Sequence, residues 1–446
     1  MIYSRIGAIK MLIWASSSAS NGATVVITSS GPIKGKQFLS GLGSVAAYLG
    51  IPYAEPPLGK LRFQKPLPHQ PWKQTLEATS FGNSCSQSIY YEDTAAMVWN
   101  PRTPLSEDCL SLNIWVPHPQ PSSPVPVLVW IHGGGYGGAT ASLGLFNGAS
   151  LAATENVIVV TINYRLGALG FLYLPPVVPG NLGLWDQQLA LKWIKENAAA
   201  FGGDPSRVTI FGHSAGGASV NFHLLAPKSQ DLFAQAVMQS GTANAFWAWR
   251  SPEEAKRLSL KFVHLLGCSE DNKISLGHCL QTKNVSELIQ QQGSLFLNED
   301  WSTFIHDLFS DIKESLINQE QLLKGIRMLV SSWPQWTGPH HDAEIAYIFG
   351  TLESVFPVNQ TYTEAEARLS RKMMHYWAEF ARTGSHSQTN YILFNQYSYP
   401  FLQLSLSPPS HSHSCNWLCC GRPEDFQNGF RADTLVRTVD EISSEI

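Results

Sequence analysis

Two stretches of this chain, Val125–Ile131 (VPVLVWI) and residues 156–163 (NVIVVTIN), are apolar almost without a break and rich in β-branched residues. A strand with one wet face alternates apolar and polar side chains. Runs as uniform as these belong in a sheet that is covered on both faces. The residues downstream fit that demand. Trp185, Leu189 and Trp193 recur every four residues, with Ala190 and Ile194 beside them, and predict a helix that stops near Phe201-Gly202-Gly203-Asp204-Pro205. Residues 208–211 read as a strand, 212–216 as a turn, 218–225 as a helix, and 231–239 lead into another strand. Strand, helix, strand, helix in this order predicts a parallel α/β sheet with right-handed crossovers. Residues 24–75 read as short strands and turns, 82–107 as an exposed polar loop, and 110–116 as an alternating strand. Residues 311–330 are helical in character. Glu364–Thr383 carries Leu369, Met373, Tyr376 and Phe380 on one side of a helix. The last forty residues read as loosely ordered.

Composition narrows the function classes. The 446 residues are only 14% charged and 11% aromatic, which excludes a disordered chain. Thirty Lys+Arg against 34 Asp+Glu leave no basic field for nucleic acid. No run of 18 or more apolar residues occurs, so no transmembrane helix is predicted. Residues 1–23 read as a poorly formed leader or a mis-started N-terminus, because Lys10 interrupts the apolar stretch. Cys85 with Cys109, and Cys268 with Cys279, flank two loops; such local pairs suit disulfides in an oxidising compartment, or are unrelated free thiols. Cys415, Cys419 and Cys420 cluster near the end without a CxxC spacing, so no metal site is expected. Asn284 and Asn359 stand in N-x-S/T sequons.

The chemistry-bearing motif is Gly212-His213-Ser214-Ala215-Gly216, a G-x-S-x-G between a strand and a helix. That context suits a nucleophile elbow: a sharp turn projects the serine Oγ above the sheet, and the next N–H opens a helix. A second motif, His132-Gly133-Gly134-Gly135-Tyr136, directly follows a buried strand. Three glycines leave backbone N–H groups unobstructed, as an oxyanion hole requires; no GK[ST] follows, so a phosphate loop is disfavoured. The serine needs a base, and His223, His264, His278, His306, His340, His341 and His375 all follow it. Spacing does not choose among them, nor among Glu299, Asp300, Asp307, Asp311 and Glu314 for the acid behind the base. Trp99, on a polar loop, is either a packing anchor or a stacking platform for a cation.

These residues resemble the type-B carboxylesterases, and among them the cholinesterases. FGGDPSRVTIFGHSAGGASV (201–220) matches the family's active-site signature, and SEDCLSLNIWVP (106–117) its second signature. PVLVWIHGGGYGG, VIVVTINYRLGALGFL and GNLGLWDQQLALKWIKENAAAFGGDP follow the family closely over residues 24–290, and the match returns over 333–384. The resemblance implies an α/β-hydrolase fold: a central, mostly parallel sheet flanked by helices, spanning 24–400, with 401–446 as an atypical tail. It implies hydrolysis of carboxylic esters, choline esters foremost, by a secreted protein without cofactor. Ser214 is then the nucleophile and His341 the base, with His340 beside it. Gly134, Gly135 and Ala215 are the oxyanion donors. Trp99 corresponds to a choline-stacking residue and Trp247 to an acyl-pocket aromatic. Cys85–Cys109 and Cys268–Cys279 correspond to family disulfides.

Departures from the family pattern are equally legible. His213 replaces a glutamate beside the nucleophile, which weakens the field favouring a cationic alcohol. The G-x-N-x-D-E-G motif that carries the family's acid is absent, so the acid is unassigned. Ser214 and His341 are only 127 positions apart, and two blocks between about 290 and 335 are missing, which predicts a sheet incomplete on its C-terminal side. The alternatives to a cholinesterase-like hydrolase are a non-catalytic relative or inert truncated isoform, and a general carboxylesterase or lipase. Oligomeric state is open.

Overall fold

The computed structural model describes residues 25–40, 43–89, 99–245, 247–269, 272–298, 342, 344–354, 362–384, 392–394 and 402–404. Its centre is a seven-stranded sheet. The strands are β1 (Lys36–Ser40), β2 (Gly43–Pro52), β3 (Ser111–His118), β4 (Val125–Ile131), β5 (Ile158–Ile162), β6 (Gly203–His213) and β7 (Gln235–Gln239), in the spatial order β7-β6-β4-β5-β3-β2-β1. Pairings β7–β6, β6–β4 and β4–β5 are parallel. Pairings β5–β3, β3–β2 and β2–β1 are antiparallel. The sheet is therefore mixed, and the expectation of a mostly parallel one holds only for its functional half. The reason lies in the connections. Helical crossovers join β4, β5, β6 and β7, whereas only two residues separate β1 from β2 in sequence, too few for a parallel crossover.

Both apolar runs are buried on both faces. Val127, Val129 and Ile131 enter one core cluster, and Leu128 and Trp130 enter the other. Helices α1 (Ala149–Glu155), α3 (Leu182–Asn197), α4 (Ala215–Leu225), α8 (Ile345–Phe349) and α9 (Glu364–Thr383) pack on these faces, while α2 (Gly167–Phe171), α5 (Pro252–Leu265), α6 (Lys273–Thr282) and α7 (Val285–Asn298) contribute to a third, separate core cluster. Helix α9 has the predicted bounds because its ends are chemically fixed. Thr363 and Glu366 form a reciprocal capping box, and Gly384 takes the left-handed conformation at the other end. On the second face, Trp130 is the hub of an aromatic group, with ring centroids 5.2 Å from Phe146, 4.9 Å from Phe211 and 5.2 Å from Phe349.

Two other boundaries differ from expectation. Strand β6 begins at Gly203, not at Val208, because Gly203 already pairs with Val125 before an irregularity that carries the polar residues Asp204 to Arg207 and hides the strand's periodicity. Helix α4 begins at Ala215, three residues earlier than predicted, because Gly216, which reads as the end of the turn, and Gly217 serve as contact points between the helix and neighbouring backbones. The loop expected to be exposed at 82–107 buries Ser84, Cys85, Ser86 and Gln87. Cys85 is bonded to Cys109, and the Gln87 amide donates to the carbonyls of Cys85 and Ala139, each at 2.9 Å. Cys268 is bonded to Cys279. A bidentate buried ion pair, Arg165 Nη2 to Asp186 Oδ1 at 2.7 Å and Nε to Oδ2 at 2.8 Å, ties the loop after β5 to α3. Among the described residues no helix is long and apolar enough to cross a membrane.

Candidate active site

Parallel register brings the ends of three strands together. Gly212 of β6 lies opposite Ile131 of β4, and His213 lies opposite Gln239 of β7. Ser214 follows at the carboxyl end of the sheet, where open α/β folds place their ligands. Its backbone has φ 56° and ψ −122°, a conformation that a serine adopts only when its surroundings enforce it. Those surroundings are visible. The Ser214 N–H donates to the Gln239 carbonyl at 2.8 Å. A methyl group on Gly216 would lie 2.0 Å from the Ile131 carbonyl oxygen, so only glycine lets the helix start this close to β4. Ser214 is half-buried, and Ala215 follows it as the first residue of α4.

The glycine loop meets this turn directly. A methyl group on Gly133 would lie 2.6 Å from the His213 carbonyl oxygen and 3.1 Å from the Ser214 Cβ. Gly134 and Gly135 have φ of +100° and +58° and are exposed. The Gly134 carbonyl accepts from both Gly137 and Gly138 at 3.0 Å, which closes the loop on itself. No described residue accepts a hydrogen bond from the N–H of Gly134, Gly135 or Ala215. Backbone donors without a described partner thus stand in the loop that abuts Ser214 at Gly133 and in the residue that follows Ser214, an arrangement suited to a developing oxyanion. The loop's stem is rigid. His132 stacks on Tyr164 at 4.5 Å, the Tyr164 hydroxyl donates to the His132 carbonyl at 2.7 Å, and burial pulls the imidazole down to about 4, so it stays neutral.

Helix α4 is held from behind by a buried hydrogen-bond chain. The Ser219 hydroxyl donates to the Ala215 carbonyl at 2.9 Å and accepts from the Gln187 amide at 3.1 Å. The Gln187 Oε1 lies 3.0 Å from His223 Nε2, and His223 Nδ1 lies 2.9 Å from the Ser229 hydroxyl. Burial lowers the His223 pKa to about 4, so this histidine is a neutral structural bridge and not the base.

Of the other residues singled out from sequence, Trp99 is half-buried and packs against Phe146 with centroids 6.1 Å apart, on the aromatic face that also holds Phe211. Trp247 is half-buried in the segment between β7 and α5. His306, His340, His341, Glu299, Asp300, Asp307, Asp311, Glu314, Asn359, Cys415, Cys419 and Cys420 lie outside the described residues, as do residues 1–23. So does the segment 311–330 expected to be helical. Asn284 is exposed, and its Oδ1 accepts from the Ser286 N–H at 2.8 Å.

The family model described as the carboxylesterase family matches residues 22–332 and 325–417. This chain belongs to the carboxylesterase family. Its membership makes it, by descent, a carboxylic ester hydrolase. It is 36% identical to the acetylcholinesterase of Bungarus fasciatus over 484 residues, covering 82% of this chain and 79% of that protein. It is 48% identical to the cholinesterase of Mus musculus over 273 residues, covering 60% of this chain and 45% of that one. Since 82% of 446 is about 366, roughly 120 of the 484 aligned positions have no counterpart in this carboxylesterase.

Two polar residues near the elbow were not singled out from sequence. Gln239, whose carbonyl holds Ser214, donates its side-chain amide to Glu344 Oε1 at 3.2 Å. The same carboxylate oxygen lies 3.9 Å from His213 Nε2. His213 and Glu344 are 3% and 11% exposed, so the contact is shielded from water. Burial raises Glu344 to about 7, against the opposing pull of its own backbone and of Gln239. Burial and the Glu344 charge raise Asp342 to about 6. A carboxylate opposite His213 was illegible in the sequence because 131 positions separate them.

Proposed function

We propose that this chain hydrolyses choline esters through an acyl-enzyme on Ser214. In the first step His341 takes the Ser214 proton as Oγ bonds to the ester carbonyl carbon. The N–H groups of Gly134, Gly135 and Ala215 hold the resulting oxyanion. Collapse breaks the bond to the alcohol oxygen, which leaves with the proton from His341. Water then attacks the acyl-serine by the same route and releases the acid. The observation that carries this reading is a glycine loop packed so close to a strained serine that a methyl group added at Gly133 would lie 3.1 Å from the Ser214 Cβ. Trp99 is the proposed platform for the trimethylammonium group, stacking by cation–π attraction. Two disulfides and an exposed sequon at Asn284 support a secreted glycoprotein.

One observation favours a second reading, a carboxylesterase for neutral alcohols. His213 stands beside Ser214 and faces Glu344, whose carboxyl burial holds towards its protonated form, so that flank carries less negative charge than a glutamate at position 213 would supply. The test uses purified protein and a fluorophosphonate probe. Labelling that disappears in Ser214→Ala supports the hydrolase; no labelling of protein folded by circular dichroism refutes it. Butyrylthiocholine compared with a neutral aryl ester separates the two readings. Trp99→Ala should slow only the cationic substrate.

A further inference from the structure

Helix α7 carries a polar residue where its pattern calls for an apolar one. Leu288 is buried in the third core cluster, Leu295 packs against that cluster, and Gln292 stands between them on the same helical stripe. A half-buried amide in such a place needs a partner. Gln292 Oε1 accepts from the Ala168 N–H, in the first turn of α2, at 2.7 Å. The side chain also lies hard against the residue before it. Gly167 has φ +54°, and a methyl group on it would lie 2.1 Å from Gln292 Oε1 and 2.6 Å from Nε2. The backbone that Gln292 grips is the backbone that supports the glycine loop. The Gly167 N–H donates to the Tyr136 carbonyl at 2.7 Å, and the Tyr136 ring packs on Phe171 of α2 with centroids 5.0 Å apart. Tyr136 directly follows Gly135 and has φ +60°, a conformation that a bulky residue keeps only with support. The amide end of Gln292 comes near the same loop, since a methyl group on Gly137 would lie 4.0 Å from Nε2.

We propose that Gln292 is a positioning residue, which ties α7 to the glycine loop through the first turn of α2 and so sets where the N–H groups of Gly134 and Gly135 stand. The role in the reaction rests on the reading of those groups as oxyanion donors beside Ser214; the tie itself does not. The other contacts of the loop act elsewhere. Tyr164 holds its stem at His132, and the Gly134 carbonyl closes it internally. At Tyr136 the loop leans on α2, a helix of five residues, too short to persist on its own hydrogen bonds. Leu169 anchors α2 in the third core cluster, and Gln292 takes up one of the N–H groups that a first helical turn leaves without a partner inside the helix. An apolar side chain at 292 would suit the stripe and leave the Ala168 N–H unpaired, which is why the polar residue belongs there. The direction of the effect follows from when the donors act. They bind charge that builds up only as the ester is attacked, so a displaced loop lowers turnover and spares the binding of substrate.

The test compares full-length protein with Gln292→Ala, Gln292→Met and Gln292→Glu, using Gln290→Ala on the exposed side of α7 as a control. Methionine fills the stripe but accepts only weakly, whereas glutamate keeps the acceptor. Two readouts are taken. The first is hydrogen exchange of the peptides covering 133–138 and 166–172, by mass spectrometry. Exchange there should quicken roughly tenfold in Gln292→Ala and Gln292→Met, return towards wild type in Gln292→Glu, and stay unchanged in the control. The second is hydrolysis of a neutral aryl ester by wild type, Gln292→Met and the control. In Gln292→Met, kcat should fall roughly tenfold while KM stays within about twofold of wild type. Wild-type exchange in Gln292→Ala and Gln292→Met overturns the tie. Quickened exchange with wild-type kcat overturns the positioning role. Should wild-type protein hydrolyse no ester and take no fluorophosphonate label, the hydrolase reading fails while exchange still decides the tie.

Discussion

Replacing Gly133 with alanine tests the apposition of loop and elbow most directly. The added methyl would sit 2.6 Å from the His213 carbonyl oxygen, against a normal carbon–oxygen approach of about 3.3–3.6 Å. One of the two segments must therefore retreat by about 0.7 Å or more. The elbow is the less able to move, because Ser214 is bonded to β7 and Gly216 abuts β4. The glycine loop therefore moves, and with it the N–H groups of Gly134 and Gly135. A misplacement approaching 1 Å at a reacting centre costs on the order of 10²-fold in rate, or about 2.7 kcal/mol of barrier. Overpacking costs about 1–3 kcal/mol of stability as well. Labelling kinetics with a fluorophosphonate and hydrolysis of a neutral aryl ester measure the first effect, and thermal melting followed by circular dichroism measures the second. Gly293→Ala is the control, because a methyl group there meets nothing within 4 Å. Wild-type labelling and hydrolysis by Gly133→Ala would mean that the loop does not serve Ser214, and the argument from close approach would be wrong.

Three further outcomes are expected. His223 has a folded pKa near 4, below the unfolded 6.5, so its contribution is present above pH 6.5 and is lost as pH falls towards 4. Urea midpoints across that window should rise with pH less steeply in His223→Gln than in wild type. Opening the Cys268–Cys279 bond, which closes 11 residues, should cost about 3 kcal/mol, and opening Cys85–Cys109, which closes 24, slightly more; paired Cys→Ser variants in denaturant titrations give both numbers. The Tyr136 hydroxyl is buried beside Ser219 without a hydrogen bond of ordinary geometry, so Tyr136→Phe should leave the melting temperature unchanged or raise it. A clear drop would mean that the hydroxyl is bonded.

The parts of this molecule that local chemistry determines were legible in its sequence. Val125–Ile131 could be assigned to a strand covered on both faces because it is apolar without a break, and Glu364–Thr383 to a helix because Leu369, Met373, Tyr376 and Phe380 share one side of it. Gly212, Ser214 and Gly216 announced a sharp turn because few other residues fit one. What escaped depends on contacts distant in sequence. The antiparallel half of the sheet follows from how β1, β2 and β3 pair, which their short alternating patterns do not encode. The role of Gln239 depends on Glu344, and neither residue has a local pattern to betray it. Gly216 reads as a turn former, whereas both it and Gly217 serve by the absence of a side chain where two backbones meet.

The aromatic group around Trp130 has a consequence for how the polypeptide is held together. Phe349 is clasped by Trp130 and Phe211, Ser370 donates to the Tyr347 carbonyl, and Thr351 donates to the Leu145 carbonyl. Helices α8 and α9 thus adhere to the sheet by contacts of their own, far along the chain from the strands they touch. A protease nick between residues 299 and 341 would then yield a two-piece molecule whose fragments stay together without a covalent link.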